Sequence, residues 1–336
     1  LNLFLEVTGV HTSDLVLSNV VPQVGRPAFF VCVDRKKKSL VITIKGSTSV
    51  NDAITDLDAN NVPFPCEPLQ GYYAHEGMLH SAVNIKGEID AKQVLLPLLL
   101  ENPEYSCTIV GHSLGGGTAT LLGILYIHDP HYAAVWNRFR CIAYGAPCVT
   151  DPRLCVSPAV CEIMTSIAYS EDIVCRLGID NIWRLRSQAR RHLETVKGKT
   201  TKWKIVKDLL RMNYANSNSQ LDEASTANYL DISPPCSPPH YPPDASVRIA
   251  IDSESPEPSP RQHLQDPHPC YIGGRVYHLL PTRARLASDR TQSHPYTVYP
   301  AAQQVFQEII LTPRMFEDHL PWMYTQALRN LPYAVG

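Results

Sequence analysis

An apolar segment of the chain ends abruptly in the pattern Gly-x-Ser-x-Gly, with Ser113 between Gly111 and Gly115. Residues 107–110 before it are β-prone, and residues 118–127 after it are an unbroken apolar run typical of a buried helix. A serine on a sharp turn from strand to helix needs glycines two positions away, where a Cβ would collide with neighbouring backbone. The pattern therefore predicts a nucleophile elbow. The alternative is a glycine-rich turn that leads into an ordinary core helix.

Strand-like and helix-like segments alternate around this elbow. Two strand-like runs on either side of a charged turn predict a β-hairpin ahead of it. The alternation as a whole predicts an α/β fold with a mostly parallel sheet covered on both faces. The predicted strands, besides that of the elbow, are residues 28–33, 39–44, 139–144, 164–168, 274–280 and 305–311, and predicted helices, besides 118–127, cover 79–101 and 313–331.

The composition is that of a globular domain and excludes some classes of function. The 336 residues are 44% hydrophobic and carry a formal net charge of −2, which leaves no basic footprint for a nucleic acid partner. The ten cysteines form no CxxC pair and no zinc-like spacing, and several lie in apolar runs. They favour reduced thiols and an intracellular location. These residues contain no signal peptide and no apolar run near the roughly 20 residues that span a bilayer.

A change of composition marks an insertion. Residues 213–269 are rich in Pro, Ser, Asn, Asp and Glu, which predicts a disordered segment because little apolar surface is available to offset its ordering entropy. Strand-like sequence resumes after it. We therefore expect one domain over residues 1–336, with a lead-in at 1–24 and an insertion at 213–269. The basic residues between 184 and 211 fit either an anionic membrane surface or a solvated face.

A nucleophilic serine needs a carboxylate that orients its base. The chain order of α/β-hydrolases places this acid after the serine and before the histidine. Asp172 follows the predicted strand 164–168 and emerges at the same sheet edge as Ser113. Asp151, which precedes a proline in a turn-like context, and Asp180, in the next helical region, are the competing aspartates.

The base must come from the histidines that lie further along the chain. His319 follows the last predicted strand, in a loop, which is the position expected of a late-arriving base. His278 lies within a predicted strand, where a histidine is more often a packing residue. The histidines of the proline-rich segment are poor candidates because no rigid surroundings hold them. The histidines that follow the start of the insertion are His240, His263, His268, His278, His294 and His319.

Two backbone N–H groups are expected to bind the oxyanion. The first belongs to Leu114, directly after the nucleophile. The second belongs to Ser47, after the predicted strand 39–44, where Gly46 permits a tight turn; an ordinary strand-ending turn is the alternative. We expect Asp52 and Asp56 to brace this loop rather than to catalyse. The pair His75–Glu76 has no further ligand at zinc spacing and is interpreted as structural. 

Several segments together resemble the class 3 lipases, and within them the sn-1-specific diacylglycerol lipases. The resemblance rests on VITIKGSTSVNDAITDL (41–57), GYYAHEGMLHSA (71–82), TIVGHSLGGGTA (108–119), YGAPCV (144–149), SEDIVCRLG (170–178) and LTPRMFEDHLPWMYTQAL (311–328). It implies an α/β-hydrolase fold and a triad of Ser113, Asp172 and His319. It also implies that the insertion corresponds to the regulatory loop of those lipases.

The function that the resemblance implies is hydrolysis of the sn-1 ester of a diacylglycerol, through an acyl-enzyme, to monoacylglycerol and a fatty acid. The partner is then a glycerolipid at a membrane or lipid surface, and the parent protein is membrane-associated on the cytoplasmic side. No cofactor or metal is required, and a dependence on calcium stays open. Two alternatives remain: a lipase for triacylglycerol, monoacylglycerol or phospholipid, and an inactive lipid-binding scaffold.

Overall fold

An eight-stranded sheet forms the centre of the computed structural model, which describes residues 2–23, 25–46, 60–195, 268–281 and 296–331. The strand order is β1-β2-β3-β6-β7-β8-β9-β10, and β4 and β5 form a separate pair. The strands are β1 (Leu15–Asn19), β2 (Phe29–Asp34), β3 (Ser39–Ile44), β4 (Asn61–Pro63), β5 (Tyr73–His75), β6 (Ser106–His112), β7 (Phe139–Tyr144), β8 (Met164–Tyr169), β9 (Arg275–Pro281) and β10 (Tyr296–Ala301).

The middle of the sheet is parallel and its edges are antiparallel. Strands β3, β6, β7, β8 and β9 are parallel neighbours, whereas β1 and β2 on one side and β10 on the other run antiparallel to their partners. In a parallel sheet all the carboxyl ends lie at one edge, so the loops after β6, β7 and β8 meet there. The predicted hairpin of β2 and β3 is confirmed.

Helices flank this sheet. They are α1 (Asn2–Thr8), α2 (Glu76–Ala91), α3 (Leu95–Glu101), α4 (Leu114–Ile127), α5 (Pro152–Cys155), α6 (Pro158–Ile163), α7 (Ile179–Thr195) and α8 (Pro321–Arg329), and short 3-10 turns connect several of them. Together with the sheet they confirm the predicted α/β-hydrolase architecture. Within the described ranges, no helix combines the length and the apolar character that crossing a bilayer demands.

Both faces of the sheet are buried. Ala168 and Val276 share one apolar cluster with Phe306, whereas Tyr169 and Leu279 share another with α8. Ala168 and Tyr169 are consecutive in β8, so their side chains point to opposite faces. The sequences of the central strands are therefore nearly continuous apolar runs, as expected for a sheet covered on both sides.

Helix α4 is buried from its second residue to Tyr126, which explains its composition of small and apolar residues. It packs closely against α2: a Cβ on Gly117 would collide with the sulfur of Met78. Small side chains let the two backbones approach, and the approach fixes the helix that follows Ser113 against the sheet.

Three sequence-based boundaries differ from the structure. The predicted strand 305–311 is wrong: residues Gln303–Phe306 form a 3-10 turn, and the edge strand is β10, at Tyr296–Ala301. Phe306 and Ile309 instead bury their side chains three positions apart, as a turn rather than a strand does. The predicted helix 79–101 divides into α2 and α3, and the terminal helix begins only at Pro321.

Two further expectations concern the chain ends and the insertion. The lead-in 1–24 contributes an edge strand, β1, that pairs with β2. Of the insertion 213–269, only residues 268 and 269 belong to the described part of the chain. Asp52, Asp56, His240, His263 and His294 also lie outside it.

Candidate active site

Ser113 lies between β6 and α4 in a backbone conformation that side chains rarely adopt. Its φ is +59° and its ψ is −130°. Such strain costs on the order of 1–3 kcal/mol and persists only where the surroundings enforce it. The Ser113 N–H donates to the carbonyl of Tyr144 at 2.9 Å, and Gly117 N–H donates to the Ser113 carbonyl at 3.1 Å. The predicted elbow is thus present as a strained turn held by its neighbours.

The two elbow glycines are required by close backbone contacts. A Cβ on Gly111 would overlap the carbonyl of Gly115, and a Cβ on Gly115 would overlap the carbonyl oxygen of Ile44 in β3. Strand β6, the turn and β3 therefore fit together only with glycine at both positions. This is the steric reason for the spacing Gly-x-Ser-x-Gly.

His319 reaches Ser113 from a turn segment that precedes α8. Its Nε2 lies 2.8 Å from the Ser113 hydroxyl oxygen, and its Nδ1 lies 2.9 Å from Oδ2 of Asp172. A carboxylate oxygen accepts, so Nδ1 carries the hydrogen and Nε2 is left to accept from the serine hydroxyl. This tautomer is the one that a general base for Ser113 needs.

Asp172 follows β8 by three residues and lies at the carboxyl edge of the sheet, beside the loop of Ser113. Its side chain is 2% exposed and accepts a hydrogen bond from the Val174 N–H at 2.8 Å as well as that from His319. Ser113 and His319 are similarly buried, at 2% and 3% exposure. Water is therefore largely excluded from the three side chains, which strengthens the hydrogen bonds that join them.

Tyr324, in α8, is a member of this site that sequence reasoning did not select. Its hydroxyl donates to Oδ2 of Asp172 at 2.5 Å and accepts from the backbone N–H of Tyr169 at 3.2 Å. Burial, reinforced by the negative charge of Asp172, raises the pKa of Tyr324 well above its ordinary value. The phenol therefore keeps its hydrogen and supplies Asp172 with a permanent donor.

His112 is a second residue of the site that sequence reasoning passed over. Its Nε2 lies 2.9 Å from the carbonyl oxygen of His319, and the two imidazole rings stack with centroids 4.7 Å apart. Burial, together with the nearby charge of protonated His319, lowers the pKa of His112 to about 4. The sequence does show that His112 lies next to Ser113. The pattern Gly-x-Ser-x-Gly, however, allows any residue at that position.

Gly145 leaves room for the three side chains to meet. It follows β7 with φ of +55°, and a Cβ there would lie 3.0 Å from Oδ2 of Asp172 and 3.2 Å from Cε1 of His319. Any larger residue would both strain the backbone and crowd the acid and base. The glycine of the sequence Tyr-Gly-Ala-Pro at this point is thereby explained.

The expected oxyanion donors are only partly within the described residues. Leu114 is the first residue of α4, so its N–H has no carbonyl partner within the helix. Ser47 lies outside the described residues. Gly46, the last described residue of that loop, lies directly against the elbow, because a Cβ on it would be 3.3 Å from that of Ser113.

The competing residues lie elsewhere and have structural partners. His278 is buried in β9 and donates from Nε2 to the Ser170 carbonyl at 2.8 Å. Asp151 caps α5 and pairs with Arg153, and Asp180 lies in the first turn of α7 and accepts from the Cys270 N–H. His75 caps α2 by accepting from Met78 N–H, as its structural interpretation predicts.

The described part of the chain offers few side chains that could bind a metal ion or act as a reactive thiol. No three His, Cys, Asp or Glu side chains there are grouped closely enough to hold a metal ion. The nine described cysteines are all free, and burial raises the pKa of every one of them. A raised pKa keeps a thiol protonated and unreactive, so the seven buried cysteines act as small apolar side chains.

Comparison with known proteins identifies the segment that carries the elbow. The family model described as lipase (class 3) matches residues 41–181, from β3 to the start of α7. This range contains Ser113, its glycines, Gly145 and Asp172. Residues 41–181 thus match the class 3 lipase family. 

Curated relatives extend the similarity to lipases over most of the chain. Human diacylglycerol lipase-alpha is 26% identical over 95% of this chain, and mouse diacylglycerol lipase-beta is 26% identical over 96%. The chain spans 28% of the first relative and 47% of the second. A lipase of Rhizomucor miehei is 32% identical over 34% of the chain and 31% of its own length.

Solved structures include similar lipases. The triacylglyceride lipase of Rhizomucor miehei superposes on the chain with a TM-score of 0.41 and 26% identity. The superposition covers 49% of this chain and 62% of that lipase.

Proposed function

We propose that the chain is a serine lipase that hydrolyses the sn-1 ester of diacylglycerol, giving monoacylglycerol and a fatty acid. One observation carries this proposal. A buried serine on a strained elbow is hydrogen-bonded to a histidine whose second nitrogen is hydrogen-bonded to a carboxylate. In this proposal Ser113 is the nucleophile, His319 the general base and Asp172 the residue that orients it.

The first half of the reaction forms the acyl-enzyme. His319 Nε2 accepts the hydroxyl proton of Ser113 while Oγ bonds to the ester carbonyl carbon, and the carbonyl oxygen becomes an oxyanion. Leu114 N–H, together with the Ser47 N–H that the sequence indicates, stabilises this oxyanion. The carbon–oxygen ester bond then breaks, and His319 gives its proton to the departing glyceride oxygen.

The second half frees the fatty acid. Water gives a proton to His319 Nε2 and attacks the acyl carbon, and the proton returns to Ser113 as the serine leaves. In both halves the imidazole becomes positive, and the buried Asp172 carboxylate stabilises that charge. Tyr324 stabilises the carboxylate in turn by its hydrogen bond at 2.5 Å.

The choice of diacylglycerol as substrate is supported by the names of the relatives that match nearly the whole chain, diacylglycerol lipase-alpha and -beta. The triad itself is compatible with triacylglycerol, monoacylglycerol or phospholipid. An inactive lipid-binding scaffold is the less favoured alternative, because all three side chains keep reactive geometry.

The setting of the reaction forms part of the proposal. We propose that the substrate is met at a lipid surface on the cytoplasmic side of a membrane, and the free cysteines support a reducing compartment. Every step uses side chains and backbone N–H groups of this chain, so no metal or cofactor is proposed. Whether activity depends on calcium is a question for measurement.

We further propose a single domain over residues 1–336 with the insertion 213–269. Strands on either side of that insertion support it, because β8 and β9 pair directly, with Thr165 opposite Arg275 and Tyr169 opposite Leu279. Two strands that share one sheet belong to one hydrophobic core.

The test is a comparison of fatty acid release from three lipids: diacylglycerol, triacylglycerol and phosphatidylcholine, each presented in the same mixed micelles. We expect diacylglycerol to be hydrolysed fastest and to leave 2-acylglycerol, the product of sn-1 cleavage. The Ser113→Ala protein, with its fold checked by circular dichroism, is the control and should release none. Equal or faster release from either other lipid would refute the substrate assignment.

A further inference from the structure

We propose that His112 is a positioning residue that holds the backbone of His319. Two consecutive elbow residues then contact the base, His112 at its backbone and Ser113 at its imidazole. This inference rests on the proposed function. Ser113 contacts the imidazole of His319, and His112 contacts its carbonyl oxygen. The nucleophile and the residue before it thus contact His319 at two different groups.

The hydrogen bond between the histidines has a defined direction. A backbone carbonyl only accepts, so Nε2 of His112 must carry the hydrogen that it shares with the His319 oxygen at 2.9 Å. The ring planes are 30° apart with centroids at 4.7 Å, so the His112 ring also lies against the face of the His319 ring. Donor and ring together restrict both translation and rotation of the base.

The position of His319 in the chain explains why such a support is needed. Residues 313–319 form turns, and regular helix begins only at Pro321. The base therefore belongs to no helix or strand ladder that would fix its backbone. Catalytic geometry must be held to within about 0.5 Å, and a neighbouring side chain on a rigid strand can supply that precision. His112 is the last residue of β6, in the middle of the sheet.

The surroundings of His112 keep its ring uncharged, while its contact with the His319 carbonyl oxygen places the hydrogen on Nε2. The Tyr324 ring meets it edge-on at 5.7 Å, His319 stacks on it, and Asp172 is the nearby negative charge. Burial dominates and keeps the imidazole neutral, since its pKa falls to about 4. A neutral His112 does not repel the positive charge that His319 acquires during the reaction.

The test compares two replacements of equal length at this position. Glutamine carries an N–H donor near the end of its side chain, whereas methionine fills similar space without one. We expect His112→Gln to keep kcat within about threefold and His112→Met to lose about tenfold or more in kcat, with KM nearly unchanged. If the methionine protein does not fold, His112→Phe, which keeps a ring but no donor, replaces it.

Matched substitutions at His128 provide the control. His128 makes a similar bond, from Nδ1 to the Ile124 carbonyl at 2.9 Å, at the end of α4 away from the triad. His128→Gln and His128→Met should both keep the wild-type kcat. The inference is overturned if His112→Met keeps full kcat, or if His112→Gln falls as far as His112→Met.

A second readout separates this inference from the proposed function. The rate at which a fluorophosphonate labels Ser113 reports activation of the serine and needs no lipid. His112→Met should label at least about tenfold more slowly than His112→Gln. Normal labelling without hydrolysis of diacylglycerol would refute the substrate alone, whereas full hydrolysis by Ser113→Ala would refute the proposed function itself. Equal labelling of the two His112 variants would refute the positioning role.

Discussion

The imidazole Nε2 of His319 lies 2.8 Å from the hydroxyl oxygen of Ser113, although 206 positions separate the two residues in the chain. The contact exists because β6 and the turn segment before α8 meet at the carboxyl edge of the sheet. The same edge carries Asp172, after β8. A mostly parallel sheet thus brings together side chains from three distant segments at one buried point.

The assignment of the base is tested by substituting the two candidate histidines. His319→Ala removes the group that takes the Ser113 proton, so kcat should fall by at least about a thousandfold. His278→Gln keeps an N–H donor for the Ser170 carbonyl and should retain kcat within about threefold. Steady-state hydrolysis of diacylglycerol measures both, and a large loss in the His278 protein alone would show that the base is misassigned.

The hydroxyl of Tyr324 should contribute to catalysis through Asp172. Tyr324→Phe removes a donor to a buried carboxylate, an interaction worth about 1.5–3 kcal/mol, so we expect kcat to fall about tenfold or more. Tyr132→Phe is the matched control, because it removes a hydroxyl bonded to Asp90 at 2.7 Å, away from the triad. Stopped assays of both should show a kcat loss only for Tyr324; equal kcat values in the two variants would contradict the role.

Substitution of glycine by alanine should have opposite effects at the elbow and in an ordinary helix. Gly115→Ala places a Cβ against the Ile44 carbonyl and should abolish activity and lower the melting temperature. Gly87→Ala, in α2, has no atom within 4 Å of the added Cβ. It should raise the free energy of unfolding by up to about 1 kcal/mol. Thermal unfolding measures both, and a stable, active Gly115→Ala protein would argue against the elbow.

The lowered pKa values of two buried histidines predict that the protein loses stability in mild acid. Burial lowers the pKa of His278 and of His112 from 6.5 to about 4. Above pH 6.5 both states hold the neutral ring and the groups have no effect. As the pH falls from 6.5 to about 4, the unfolded chain binds protons that the folded chain does not, so the free energy of unfolding falls. The slope is about 1.4 kcal/mol per pH unit for each histidine.

Urea unfolding across that pH range provides the measurement. His278→Gln removes one of the two titrating groups and should show a shallower fall than the wild type. A variant with the wild-type slope would mean that His278 is not the group that titrates. The His278→Gln protein of the base test serves here as well.

The sequence predicts those parts of the site whose physical reasons are local. Gly111, Ser113 and Gly115 are close in the chain, and the collisions that exclude a Cβ arise within one strand, one turn and the strand beside it. Asp172 follows from its place directly after β8. The contacts of His112 and Tyr324 are not readable in this way, because their hydrogen-bond partners lie 207 and 152 positions away.

The error at residues 305–311 has a similar origin. That run is more apolar than residues 296–301, yet the latter form β10 because they pair antiparallel with β9, from Tyr296 opposite Pro281 to Ala301 opposite Val276. An edge strand tolerates Pro300 and the exposed side chains of Val298 and Tyr299. Local propensity does not reveal which segment finds a partner strand.

The central claim is that Ser113 attacks the ester, and covalent labelling tests it most directly. The protein is treated with a fluorophosphonate, digested, and analysed by mass spectrometry. We predict a single adduct on Ser113, loss of lipase activity in proportion to labelling, and greatly slowed labelling of the His319→Ala protein. An adduct on another residue, or full activity after complete modification of Ser113, would contradict the account.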